Sequence, residues 1–145
     1  MQVHSLKRHM ARNSDTPRSN CRINFALETF GDKWTLLIVR DLMFKGKRTF
    51  GEFLESKEKI STNILADRLK RLEEHGIVEK TVAPDNRSKL LYRLTSKGKD
   101  LLPVMLEITA WSVKHDATRN TSDPFLTMFG SAKEEMMSAI LDKLD

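Results

Sequence analysis

A single cysteine, Cys21, stands among 145 residues, so no disulfide can close within the chain, in keeping with a reducing compartment. No run approaches the roughly 18 consecutive apolar residues of a membrane-spanning helix, and the N-terminus lacks the apolar segment a signal peptide needs. A cytoplasmic protein without a membrane partner is expected. Without an export signal, the sequons Asn86-Arg87-Ser88 and Asn120-Thr121-Ser122 carry no meaning. His4, His9, His75 and His115 have no acidic or cysteine partner at ligand spacing, which argues against a metal site. No glycine loop is built to cradle phosphate, and no cofactor is implied. Ser56-x-x-Lys59 and Ser96-x-x-Lys99 have the spacing of some acyl-transfer enzymes but not the accompanying motifs, and read as turn and cap residues. No nucleophile–base pair can be assembled, so no catalytic residue is assigned and an enzyme is disfavoured.

What is present is a modest basic excess, 25 Lys and Arg against 20 Asp and Glu, at a length that suits one domain with short arms. The excess is uneven. Residues 1–19 carry four basic side chains and one acidic, residues 20–118 eighteen against fourteen, and residues 119–145 three against five. Positive charge therefore sits in the N-terminal part and the centre, as a nucleic-acid binder requires.

The periodicity predicts a mainly helical chain with one β-hairpin. Residues 1–20, with Lys7, Arg8, Arg12 and Arg18 and no sustained period, read as a flexible basic arm. Ile23, Ala26, Leu27 and Phe30 at i, i+3, i+4, i+7 predict a short first helix ended by Gly31. Asp32 is expected to cap a second helix over Lys33–Phe44, whose apolar stripes cover most of its surface and predict burial, with Gly46 closing it. Thr49 and Glu52 have capping-box spacing for a third helix to about Glu55, and Ser56–Lys59 is the turn after it. A short strand at Lys47–Arg48 is also conceivable from the pattern.

Ser61 can cap a helix in which Leu65, Leu69 and Leu72 recur on one side, leaving Asn63, Ala66, Asp67 and Lys70 on the other, with Gly76 as a left-handed stop. Val78–Ala83 and Lys89–Leu94 read as strands around the turn Pro84–Ser88. From Thr95 a long helix to His115 is expected, kinked by Pro103. Trp34 and Trp111 read as core residues, with Trp111 also able to line an effector pocket. Residues 116–145 read as a linker and a last helix, opened by a capping box at Ser131–Glu134. Its stripe of Met136, Met137, Ile140, Leu141 and Leu144 is too apolar to be left in water and predicts dimerisation.

Helix, helix, helix, capped helix and basic hairpin, in that order, form a winged helix–turn–helix. The major groove admits a helix and displays each base pair distinctly, so the candidate DNA-reading residues are Ser61, Thr62, Asn63, Ala66, Asp67, Lys70 and Arg71. Asn63 can pair with adenine, and Asp67 can accept from cytosine or orient Arg71. Lys70 and Arg71 suit phosphate. Asn86, Arg87 and Lys89 at the wing suit the minor groove or its backbone. Cys21 adjoins Arg18, Arg22 and the first helix's amides, which would favour a reactive thiolate; the other reading is a small buried packing residue.

With these residues in place, the chain resembles the HxlR-type transcriptional regulators, a bacterial winged-helix group related to the MarR type. The similar segments are Gly31–Leu42 (GDKWTLLIVRDL), Ile60–Glu73 (ISTNILADRLKRLE), Leu72–Val78 (LEEHGIV) and Tyr92–Gly98 (YRLTSKG). The resemblance implies a homodimeric regulator, its terminal helices paired, on double-stranded DNA with a roughly palindromic operator. Some relatives sense oxidants or electrophiles through a cysteine at the place of Cys21, usually followed by proline where Arg22 stands here. A repressor responsive to an oxidant or a small effector is expected. The competing class is a protein-interaction winged helix without specific DNA binding.

Overall fold

The computed structural model describes residues 16–116, 118 and 133–145. Most of the expected basic arm, most of the linker, and the start of the Ser131–Glu134 capping box lie outside the described residues. The chain divides into two compact units, residues 1–32 and 33–145.

The first unit holds α1 (Arg22–Phe30), with Cys21 as its N-cap. Arg18 folds back along it: its amide donates to Glu28 Oε1 at 3.0 Å and its guanidinium to Asn24 Oδ1 at 2.5 Å. Backbone and side-chain donors from Arg18 and Asn24 together hold the Glu28 carboxyl below its ordinary pKa. Gly31 ends the helix at the expected place.

The second unit begins with α2 (Thr35–Phe44). Ile38, Val39, Leu42 and Met43 are buried and Trp34, Leu36 and Phe44 pack against the same core, so α2 is the central helix, as its double apolar stripe requires. It starts two residues later than expected. The N-cap is Trp34, in helical conformation and without a side-chain capping bond, rather than Asp32. Next comes α3 (Phe50–Leu54), where Thr49 Oγ1 accepts from the Glu52 amide while Glu52 Oε1 accepts from the Thr49 amide. This is the reciprocal cap that the spacing predicts. Then α4 (Thr62–Glu74) buries Leu65, Leu69 and Leu72, each contributing about 1.5–3 kcal/mol of apolar burial.

Gly76, at φ +71°, turns the chain out of α4 in the left-handed region where a side chain would be strained. β1 (Val78–Ala83) and β2 (Asn86–Leu94) follow as one antiparallel pair, Val78 opposite Leu94 and Val82 opposite Leu90. Between Val82 and Ala83 the register slips, so Ala83 faces Asn86. The turn is thus tighter than expected, and Asn86, Arg87 and Lys89 belong to the irregular start of β2. No strand forms at Lys47–Arg48 among the described residues; a single bond, Tyr92 N–H to the Arg48 carbonyl at 2.8 Å, joins that segment to the hairpin.

The long helix expected from Thr95 is two helices, α5 (Ser96–Lys99) and α6 (Leu102–His115). Pro103 lies in the first turn of α6, where its missing N–H costs nothing, so it starts a helix rather than kinking one. α5 is pressed so closely on the wing base that a Cβ at Gly98 would come within 2.3 Å of the Ile77 carbonyl oxygen. The last helix, α7 (Lys133–Leu144), lies against α2.

Two burial expectations change here. Met136 is only 5% exposed, and the half-buried Met137, Ile140, Leu141 and Leu144 pack against the chain's own core, so the stripe is partly covered from within. Trp111 is 67% exposed. α6 runs past the core after Leu106, leaving Ile108, Trp111 and Val113 in water while Leu102, Met105 and Leu106 are buried. Among the described residues no helix is long and apolar enough to cross a membrane.

Candidate nucleic-acid interface

Helix α4 is positioned by what lies behind it. Its buried leucines face α2 and α3, and the Ser61 hydroxyl accepts from the Ile64 amide at 3.2 Å, satisfying one of the free donors of the first turn. The opposite face is open: Ser61, Thr62, Asn63, Ala66, Asp67 and Lys70 are all exposed and Arg71 is half-buried. The structure therefore brings the expected reading residues onto one outward face. One pairing differs. Asp67 forms its ion pair with the adjacent Arg68, not with Arg71.

The C-terminal end of α4 is fastened to the start of α5. Lys97 Nζ donates to the His75 carbonyl at 2.6 Å, and Thr95 Oγ1 donates to the Gly76 carbonyl at 2.5 Å. A cation on a helix's last carbonyls is favourable in itself. Burial, with Lys97 and Arg71 nearby, pushes His75 below its ordinary pKa. Lys80 Nζ stands 3.5 Å from Glu73 Oε2, a further tie from β1 to α4. At the wing tip, Asn86 Oδ1 accepts from the Ser88 amide at 3.1 Å and the Ser88 hydroxyl at 2.7 Å, a local turn that holds Arg87 and Lys89 exposed on either side.

The segment in front of α4 contains what sequence reasoning missed. Asp41, on α2, is 2% exposed. Its Oδ1 accepts from Arg40 Nε and Nη2 at 3.1 and 2.8 Å, and its Oδ2 accepts from the Ser56 hydroxyl, with Lys47 Nζ 3.6 Å away. Arg40 also grips Glu58 with two parallel bonds, 2.7 and 2.9 Å long. The guanidinium holds Glu58 down to a pKa of about 2, while Glu58 raises that of Arg40. A buried charge survives only when paired and hydrogen-bonded, and here the pairing joins α2 to the turn before α4. An Arg-Asp pair inside an otherwise apolar helix was the available signal. The cavity beside this network, lined by Trp34, Ile38, Phe53 and Ile60, is about 10 Å³, room for about one water. Cys21 is exposed at the N-cap of α1.

Residues 29–120 match the HxlR-like helix-turn-helix family. The HTH-type transcriptional regulator YodB of Bacillus subtilis is 40% identical over 91 residues, 63% of this chain and 80% of YodB. The HTH-type transcriptional regulator sll1512 of Synechocystis is 36% identical over 86 residues, 59% of this chain and 63% of that relative's length. Among solved structures, the reduced form of YodB aligns at a TM-score of 0.57 with 34% identity, covering 70% of this chain and all of that one. The redox regulator HypR in its oxidised form aligns at 0.59 with 31% identity, covering 69% and 99%.

Proposed function

The chain belongs to the HxlR-like helix-turn-helix family of DNA-binding transcriptional regulators, a non-enzymatic role, and from that premise we propose that it is a homodimeric repressor that occupies a roughly palindromic operator and releases it on oxidation of Cys21. One observation carries the DNA-binding role: α4 offers an exposed, largely polar face from Thr62 to Lys70 beside an exposed basic wing, the combination that fits a major groove and its flanking phosphates.

Dimerisation is supported by apolar side chains left in water on two helices, Ile23, Phe25 and Leu27 on α1 and Ile108 and Trp111 on α6, more than isolated surface residues amount to. Met136 and Leu144 pack on the chain's own core, which favours the α1 and α6 side chains over the α7 stripe as the contact. Cys21 is exposed at the N-cap of α1 and precedes the residues that match the family. Solved relatives include YodB bound to a quinone and HypR in oxidised form, which supports an oxidant or quinone as effector. A peroxide would transfer one oxygen to the Cys21 sulfur, giving a sulfenic acid and water, and the sulfenic acid would condense with a second thiol, of its dimer mate or a small thiol, to a disulfide and a further water; a quinone would instead take up the sulfur as a ring adduct.

Selection of bound duplexes from a random pool tests the operator: an enriched inverted repeat is expected. Salt-independent binding, or none, would instead favour the protein-docking module. Mild peroxide or a quinone should weaken binding to the selected duplex, and Cys21→Ser should abolish that response without weakening binding itself. Undiminished binding by fully oxidised protein would discard Cys21 as the sensor.

A further inference from the structure

We propose that the turn preceding α4 is a second DNA-backbone anchor, in which Lys59, with Lys57 beside it, contacts a phosphate at the rim of the groove that α4 enters. This role rests on the DNA-binding reading above, and adds to it residues that neither the helix nor the wing includes.

Charge, placement and conformation point the same way. The turn holds two exposed lysines around one acid, and the acid is withdrawn: Glu58 is held by both nitrogens of Arg40. Neither Lys57 nor Lys59 has an ion pair or side-chain hydrogen bond among the described residues. Glu55, the remaining nearby acid, sits back at the C-cap of α3. With Glu58 engaged by Arg40, the two lysines leave a net positive charge at this turn.

Placement follows from chain geometry. Lys59 precedes Thr62 by three residues, a span of at most about 11 Å. A major groove is about 12 Å wide. With Thr62 and Asn63 inside the groove, the exposed Lys59 side chain lies within reach of the sugar–phosphate wall. The turn is also not free to swing: the Lys59 amide donates to the Ser56 carbonyl at 2.9 Å, Ser56 is bonded to buried Asp41, and Ile60 on the far side is buried.

Conformation supplies an independent reason. Lys59 has φ +60°, the one non-glycine residue in the left-handed region among those described. Glycine would adopt that conformation without the Cβ penalty. A lysine there is explained by what its side chain does, since that side chain stands exposed rather than packed in the core.

Opposed signs make the test decisive. Binding of the intact protein to a selected duplex and to a scrambled duplex of equal length is titrated across a salt series, beside thermal melts. Lys59→Gly should melt at the parent's temperature or up to about 3 °C higher. It should nonetheless weaken both duplexes by the same factor and flatten the log–log salt slope by about 0.9 for each phosphate no longer neutralised. Lys57→Gln should flatten the slope likewise. An unchanged slope and affinity for Lys59→Gly would overturn the anchor while leaving the regulator intact. A lower melting temperature would overturn it too, by giving Lys59 a structural purpose. Failure of the parent protein to bind either duplex would remove the DNA-binding reading itself.

Discussion

The Ser56 hydroxyl donates to the buried carboxylate of Asp41, so a residue of the central helix grips the turn that leads into the reading helix. Fifteen positions separate them, and nothing local in either segment names the other as its partner. The orientation of α4 depends on it as well as on the leucine stripe.

Asp41→Ala should therefore destabilise the fold by about 3–5 kcal/mol, because Arg40 and Lys47 lose a buried counter-charge. Ser56→Ala should cost about 1–2 kcal/mol by leaving one carboxylate oxygen short of a donor. Urea denaturation of the singles and the double variant gives the coupling, the double variant being expected to lose about 1 kcal/mol less than the sum of the singles. Full additivity would mean that the bond does not form in solution.

Acid should loosen the same turn. Glu58 titrates near 2 when folded against 4.5 unperturbed, because Arg40 stabilises its charged form. The contribution of a depressed carboxylate is fully present above the unfolded value and lost as pH falls toward the folded one. Melting temperature should drop between about pH 4.5 and 2, and Glu58→Gln should shrink that drop. Glu58 is substantially solvated, which keeps the effect modest. An identical acid profile for Glu58→Gln would contradict the assignment.

The reading helix and the wing should fail in different ways. Asn63→Ala should change which base is preferred at one operator position by about 1–3 kcal/mol. Arg87→Ala should weaken all duplexes alike, by about 1–3 kcal/mol if it enters a minor groove. Fluorescence anisotropy on a panel of single-base operator variants separates the two. Uniform losses from both would refute the division of labour.

Trp111, 67% exposed, is the stronger candidate for a dimer contact than the α7 stripe. Trp111→Asp should raise the dimer dissociation constant at least about 30-fold, as removal of a central aromatic anchor does. Leu144→Asp should instead lower thermal stability, since Leu144 packs on the chain's own core. Sedimentation at micromolar protein reads the first and a thermal melt the second. Dissociation by Leu144→Asp without loss of melting temperature would return the contact to α7.

The sequence by itself determined whatever depends on a few adjacent residues. The Thr49–Glu52 cap, the Ser61 cap, the left-handed Gly76 and the Val78–Ala83 strand all stand where their spacing puts them, since each signal and its partner lie within one turn of chain. The outward face of α4 was legible for the same reason, because three leucines at helical spacing leave only one side for polar residues. Tertiary structure alone decided which apolar faces are covered. Met136 and Trp111 both sit on apolar helical stripes, yet one is buried against the core and the other stands in water, because burial depends on neighbours supplied from far along the chain. It also decided that the Arg40-Asp41 pair would hold Ser56 and Glu58: a charged side chain within an apolar helix predicts that a partner exists, but only the folded chain brings that partner within hydrogen-bond reach.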